Sequence, residues 1–328
     1  MNRWLSFELH AHTLHSDGAH TLAELAGFAR QRGYDGLAVT DHNTIAAWAE
    51  WEAVTAATGV RILPGLEWTT FHGHALLLNI PQYVDWRALG TFDLERGIRA
   101  VHDQGGLFGI AHPFRLGNPI CTGGYWEYRA GHGSADYLEV WSQSLPAART
   151  GNQRAFQWWT RLLDAGCRIT AVAGSDLHRL APAEALARTY LAVDGGDDPG
   201  PAAAIRALRS GAVTVSMGPL VTVELRSAAQ SWGAGSVVPA ADRPSILELE
   251  VALRSTAQMA WVEIDRTDFR AVISSNRGEV CQVPLGLDGA ARRSIDVNGL
   301  RWMRAELFGR IQGVAQLIAF SNPIYFQI

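Results

Sequence analysis

The feature that most constrains this chain is a repeated pairing: a short apolar run, then a histidine or a carboxylate where the run ends. The runs are FELHAH (7–12), GLAVT (36–40), VRILP (60–64), GLFGIA (106–111), YLEVW (137–141) and RITAVAG (168–174). Their β-branched and aromatic content predicts strands. Between several of them lie helical patterns: LAELAGFARQRG (22–33), IAAWAEWEAVTAATG (45–59), LERGIRAVHDQGG (94–106) and RAFQWWTRLLDAGC (154–167). Several of these end in glycine, as helices tend to. Strands alternating with helices predict βα units and a parallel sheet or barrel. After residue 217 the character changes. VTVEL, SILELEVAL, AWVEIDR, FRAVISS and LIAFSNPIYF alternate or are β-rich, which predicts an antiparallel β domain. The expected division is 1–217 and 218–328.

What terminates the N-terminal runs carries the chemistry. GLAVT ends in Asp41-His42, VRILP leads to Glu67, GLFGIA ends in His112, and RITAVAG ends in Ser175-Asp176-Leu177-His178. The first run holds His10 and His12, with Asp17 just beyond. Two residues apart in a strand, His10 and His12 share a face. In α/β barrels, ligands and catalytic groups collect at the C-terminal ends of strands. Imidazole with carboxylate is the ligand set of Zn²⁺, Mn²⁺ or Fe²⁺. Each residue alone has a structural reading, a hydrogen-bonded histidine or an N-cap for Asp41 and Asp176. Five strands delivering such groups to one rim favour metal instead. They offer more ligands than one four-coordinate ion uses, so two or three divalent ions are expected.

Composition removes competing classes. All eleven histidines fall at or before His178. The 28 basic residues are all arginine, which excludes a Schiff-base lysine and a Walker A lysine. A net charge of −4 without a basic patch argues against nucleic acid. No apolar leader segment and no long apolar run are present, so neither a signal peptide nor a membrane span is expected. Cys121, Cys167 and Cys281 are dispersed and odd in number, which fits a cytoplasmic protein rather than a disulfide framework.

His10-Ala-His12-Thr with Ser16-Asp17-Gly18, Thr40-Asp41-His42, Gly65-Leu66-Glu67, Ala111-His112-Pro113 and Ser175-Asp176-Leu177-His178 resemble, in order and interval, the motifs of the PHP (polymerase and histidinol phosphatase) superfamily. Trp302-Met-Arg-Ala-Glu306 followed by Ser321-Asn322-Pro323-Ile324-Tyr325 is similar to the tail of its CehA/McbA-type branch. The resemblance implies a distorted (β/α)₇ TIM-like barrel with a metal centre on its C-terminal rim. It implies that His10, His12, Glu67 and Asp176 hold a first ion. Glu67 would bridge to a second, held also by His74 and His112. Asp17, His42 and His178 would hold a third. His72 is the alternative to His74, which opens the apolar run ALLLNI and would be fixed by a strand.

The implied activity is metal-dependent hydrolysis of a small phosphate ester by a metal-bridging hydroxide. Asp17 or His178 would assist the leaving group, and Arg115 is the cation placed to meet a phosphate. The same hydroxide would serve a carbamate or amide hydrolase. A non-catalytic, metal-stabilised binding module is the reading of a different class. The stretch FRLGNPICTGGYWEY (114–128) holds both arginine and aromatic residues, Tyr125 and Trp126 among them, and does not choose between a phosphate ester and a carbamate or amide. Glu139 is expected to orient a ligand histidine. His15, His20, His102 and His132 are expected outside the ligand set. A homo-oligomer is left open.

Overall fold

The structure is a computed structural model, and it describes residues 3–116, 125–129, 131–180, 185–195, 200–242 and 244–327. Cys121 lies outside the described residues, as does much of the stretch after Arg115. Cys167 and Cys281 are free thiols. Among the described residues no helix is long and apolar enough to cross a membrane.

The first part alternates strands and helices. Its strands are β1 (Arg3–Glu8), β2 (Gly36–Val39), β3 (Arg61–Thr70), β4 (Gly73–Leu78), β5 (Leu107–Ala111), β6 (Tyr137–Ser142), β7 (Thr170–Gly174), β8 (Arg188–Val193) and β9 (Val213–Ser216). The helices are α1 (Leu22–Arg32), α2 (Trp51–Thr58), α3 (Leu94–His102), α4 (Thr150–Asp164) and α5 (Pro201–Ser210). Local chemistry sets their ends. Thr21 and Glu24 form a reciprocal capping box at the start of α1, and Gly33 closes it at φ 75°. Pro201 opens α5 and Gly211 ends it at φ 77°.

The strand order is β7-β6-β5-β4-β3-β2-β1-β8-β9, continuing into the C-terminal part. β1, β2 and β3 run parallel, as do β5, β6 and β7. The regular succession of parallel βα units expected from the sequence is broken twice. β4 is antiparallel to both β3 and β5, and β8 is antiparallel to β1. The physical reason for the first break is length. Only Phe71 and His72 separate β3 from β4, and so short a connection makes a hairpin, not a crossover. β7 is the terminal strand of the order, and a parallel bridge between Ala11 and Leu177 joins its extension to that of β1. Leu5, Phe7, Leu63, Leu76, Val172 and Leu191 form a buried core cluster among these strands.

The C-terminal part comprises β10 (Leu220–Arg226), β11 (Ser231–Gly233), β12 (Val237–Val238), β13 (Ile246–Arg254), β14 (Phe269–Ser275), β15 (Gly278–Leu285), β16 (Ala290–Asp296), β17 (Trp302–Ile311), β18 (Val314–Ser321) and β19 (Ile324–Phe326). One antiparallel sheet runs β11-β10-β13-β16. The other strands join the first part through β18, which pairs with β9, so one hydrogen-bonded sheet passes through both parts. AWVEIDR is not a strand. Ala257–Ala260 form a 3₁₀ turn, Met259 and Val262 are buried, and the Arg32 guanidinium lies 4.6 Å from the Trp261 ring.

Residues of the C-terminal motif pack against the first part. Trp302 donates to Asp164 at 3.0 Å, and buried Arg304 donates to Thr160 at 3.0 Å and to Glu306 at 2.9 Å. Both Thr160 and Asp164 lie on α4.

Candidate metal centre

The parallel strands aim their C-terminal ends at one rim, and the candidate ligands meet there. β1 continues as an extended segment that places His10 and His12 in full burial. His42, just past β2, makes a parallel bridge with Glu67 inside β3. The antiparallel β4 sets His74 opposite Ala111, next to His112. Asp176 and His178 follow β7.

Glu67 is the hub. Its Oε2 lies 3.2 Å from His10 Nε2, 3.4 Å from His12 Nε2 and 3.0 Å from His42 Nδ1. Its Oε1 lies 2.9 Å from His74 Nδ1 and 3.2 Å from His112 Nε2. Asp176 Oδ1 lies 3.2 Å from His10 Nε2 and 2.9 Å from His12 Nε2. Asp17 Oδ1 lies 3.1 Å from His178 Nε2, 3.4 Å from His42 Nε2 and 4.0 Å from His12 Nδ1. The groups able to hold an ion are therefore His10-His12-Glu67-Asp176, Glu67-His74-His112, and Asp17-His42-His178 with His12. A further group joins His10 and His112 to Glu139.

Three atoms test whether a metal fits. His10 Nε2, His12 Nδ1 and Glu67 Oε2 are buried and make no hydrogen bond. Buried polar atoms are rarely left so, because each costs about 1–3 kcal/mol. Converging imidazole and carboxylate lone pairs suit a borderline divalent ion.

The electrostatics agree. Burial would push Glu67 and Asp176 up. The neighbouring His10 outweighs it, with His74 for Glu67 and His12 for Asp176, and holds both carboxyls well below the usual range. Burial opposes charge on His10 also, but Glu67, Asp176 and Glu139 raise it well above an ordinary histidine. For His12 burial prevails and its affinity for a proton is lowered. Each shift follows from burial and from the ion pairs within the cluster.

A surrounding layer fixes these groups. Glu139 Oε1 lies 3.1 Å from His10 Nδ1, and its Oε2 accepts from the His112 N–H at 2.8 Å. A Cβ on Gly174 would fall 2.5 Å from both Glu139 Oε1 and His10 Cβ, so only glycine permits this approach. Asp41 accepts from Thr13 N–H at 2.7 Å and from the Thr13 and Ser16 hydroxyls at 2.7 and 2.6 Å, which folds the loop that carries Asp17. Asp176 and His112 hold positive φ, 52° and 22°, a conformation that costs non-glycine residues about 1–3 kcal/mol.

The other histidines are elsewhere. His15 pairs with Glu50 at 2.8 Å on the surface, and His20 accepts from Leu180 N–H at 3.3 Å. His102 meets Asp136 at 2.7 Å, and His132 meets the Tyr128 carbonyl at 2.6 Å. His72 lies 3.6 Å from Glu127 and is in none of the ligand groups. Arg115 reaches the cluster, where Nη1 bonds Asp176 Oδ2. Three residues were not singled out in the sequence: Thr69, whose hydroxyl bonds His42 Nδ1, and Glu8 and Ser175, which bond each other. Burial pushes Glu8 up to about 7 despite its donors from Ser175 and His10. Its alternation with His10 and His12 in FELHAH was the available signal.

Residues 8–98 match the PHP domain. A 125-residue stretch is 28% identical to an uncharacterized protein of Methanocaldococcus jannaschii, covering 35% of this chain and 69% of that one. The structure resembles that of a two-domain Bacteroides vulgatus protein described as containing a predicted PHP-like metal-dependent phosphoesterase. The TM-score is 0.53 at 14% identity, over 98% of this chain and 96% of that one. The PHP-domain match is confined to residues 8–98, and the structural likeness is one of fold, spanning both parts of the chain.

Proposed function

We propose that this chain is a metal-dependent hydrolase of the PHP superfamily, CehA/McbA-type branch, acting on a small phosphate ester. The observation that carries the reading is the sharing of Glu67 and His12 between ligand groups, with buried atoms left for a cation. His10, His12, Glu67 and Asp176 would hold one divalent ion, Glu67, His74 and His112 a second, and Asp17, His42 and His178 a third. Zinc, manganese and iron suit this donor set. When bound, such ions supply a hydroxide near neutral pH, polarise the ester and stabilise the leaving oxygen.

The chain's own groups do the rest. Arg115, now bonded to Asp176, is within reach of an anionic substrate oxygen at the same cluster. Asp17 and His178, the most solvent-accessible of the ligand candidates, would with the third ion assist the leaving group. Glu139 keeps His10 and His112 in register. We read the two parallel runs of strands, joined at Ala11 and Leu177, as a distorted barrel. We read residues 218–328 as its appended β domain.

A second reading keeps the centre and changes the substrate. Aromatic side chains flank the segment after His112, with Phe114 5.7 Å from Trp158 and Trp126 5.0 Å from Tyr128, which suits a carbamate or amide substrate with an apolar body. Elemental analysis with p-nitrophenyl phosphate turnover, with and without Mn²⁺, tests the primary reading. Two or three ions per chain and metal-dependent phosphate release are expected. Bound metal without phosphate release transfers the assignment to carbamates and amides. No metal after reconstitution sinks both.

A further inference from the structure

β7 leads into the segment Ser175–His178, yet among the described residues no strand hydrogen-bonds to its outer edge along β7 itself. In its parallel pairing with β6 the backbone groups alternate, those of residues 170, 172 and 174 toward β6 and those of 171, 173 and 175 the other way. Buried, those outward groups require partners. They find side chains, each from a different element. Ala171 N–H donates to Asn322 Oδ1 at 2.7 Å, and Asn322 Nδ2 returns a bond to the Ala171 carbonyl at 2.8 Å. Ala173 N–H donates to Thr189 Oγ1 at 2.9 Å, and that hydroxyl donates back to the Ala173 carbonyl at 2.8 Å. Ser175 N–H donates to Glu8 Oε1 at 2.7 Å. The same Glu8 oxygen accepts from His10 N–H at 2.9 Å. Only at Leu177 does backbone take over, bonding His10 and His12 at 3.0 Å each.

We propose that Asn322, Thr189 and Glu8 form a side-chain ladder that stands in for a missing strand and sets Asp176 against His10 and His12. They are positioning residues: none belongs to a ligand group. The ladder gives the C-terminal part a role in the centre, since Asn322 also bonds the Val213 carbonyl through its backbone N–H at 2.9 Å. Asn322 thereby ties β7 to β9. The Ser175 rung adjoins Asp176 in sequence, so a slipped rung moves a carboxylate that lies 2.9 Å from His12. The inference rests on the metal reading above, not on the choice of substrate.

The test is Mn²⁺ affinity, read by competition with a chelator on fully folded protein, together with amide exchange of residues 170–180 in the metal-free state. Thr189→Val keeps shape and removes the hydroxyl. It and Glu8→Ala are expected to weaken Mn²⁺ binding about 10- to 100-fold and to speed exchange. Thr189→Ser and Glu8→Gln, which keep an acceptor, are expected to restore both. Unchanged Mn²⁺ affinity in Thr189→Val and Glu8→Ala, with only a lower Tm, would overturn the proposal. If the parent protein binds no Mn²⁺, the metal reading falls, and exchange alone decides the ladder: faster in Thr189→Val sustains it, unchanged refutes it.

Discussion

At the rim, His10, His12 and Glu67 bury atoms that make no hydrogen bond. At the seam between α4 and β17, Arg304 does the same with Nη1, and burial lowers its proton affinity. The company differs. At the rim, His10 Nε2 and Glu67 Oε2 lie 3.2 Å apart beside Asp176, and His12 Nδ1 faces Asp17 at 4.0 Å, donor sets that a cation would complete. The Arg304 guanidinium carbon lies 4.3 Å from the Phe156 ring centroid, 4.5 Å from Trp159 and 5.1 Å from Trp302, and Glu306 shares its charge. The first arrangement is half of a binding reaction. The second is a finished contact, with cation–π and ion-pair partners already supplied. An unmatched buried atom is therefore informative only with its neighbours named.

The sharpest way to break this contrast is Glu67→Ala, which removes the hub of the rim. Turnover is expected to fall about a thousandfold, equivalent to about 4 kcal/mol, with metal lost by elemental analysis. Retained metal and activity would refute the hub role. At the seam, Arg304→Ala is expected to cost about 3 kcal/mol of stability by urea unfolding, because it strands a partly buried Glu306 and empties the space between three rings. Metal content of the folded fraction should not change. A loss of metal there would erase the distinction between the two regions.

Glu139→Gln sharpens the rim itself. It keeps the shape but weakens the bond to His10 Nδ1, so metal affinity should fall 10- to 100-fold, about 1.4–2.7 kcal/mol, measured by chelator competition. The smallest effect is expected from Arg115→Ala. If the substrate is a phosphate ester, KM should rise about tenfold, about 1.4 kcal/mol, with metal content intact. An unchanged KM for phosphate esters would favour a carbamate or amide instead.

Much of the rim was legible in the chain. His10, His12, Asp17, His42, Glu67, His112, Asp176 and His178 each follow or end an apolar run, and strand ends are local features. His74 opens ALLLNI, which reads as a strand, and the structure sets it 2.9 Å from Glu67 while His72 stands in none of the candidate groups. The helices at 22–33 and 94–106 were marked by periodicity and terminal glycine. β8, β9 and the strands β15 to β17 were not marked, because they are short, charged or half-exposed, and their pairing depends on neighbours distant in sequence. AWVEIDR keeps its alternation, with Val262 and Ile264 buried, but only Ile264 bridges a neighbouring strand, at Ile311, so no ladder forms.

By itself the sequence determined which residue types stand at the ends of the strands, because alternation and chain breaks are written in consecutive residues. It determined that histidine chemistry is confined to the first 178 residues, and that lysine chemistry is absent. Only the tertiary structure decided that β8 reverses, that Glu139 serves both His10 and His112, and that Asn322, 151 residues from Ala171, completes the edge of β7. Those facts are set by which backbone groups are left buried and unpaired after the strands assemble, and no single segment contains that information.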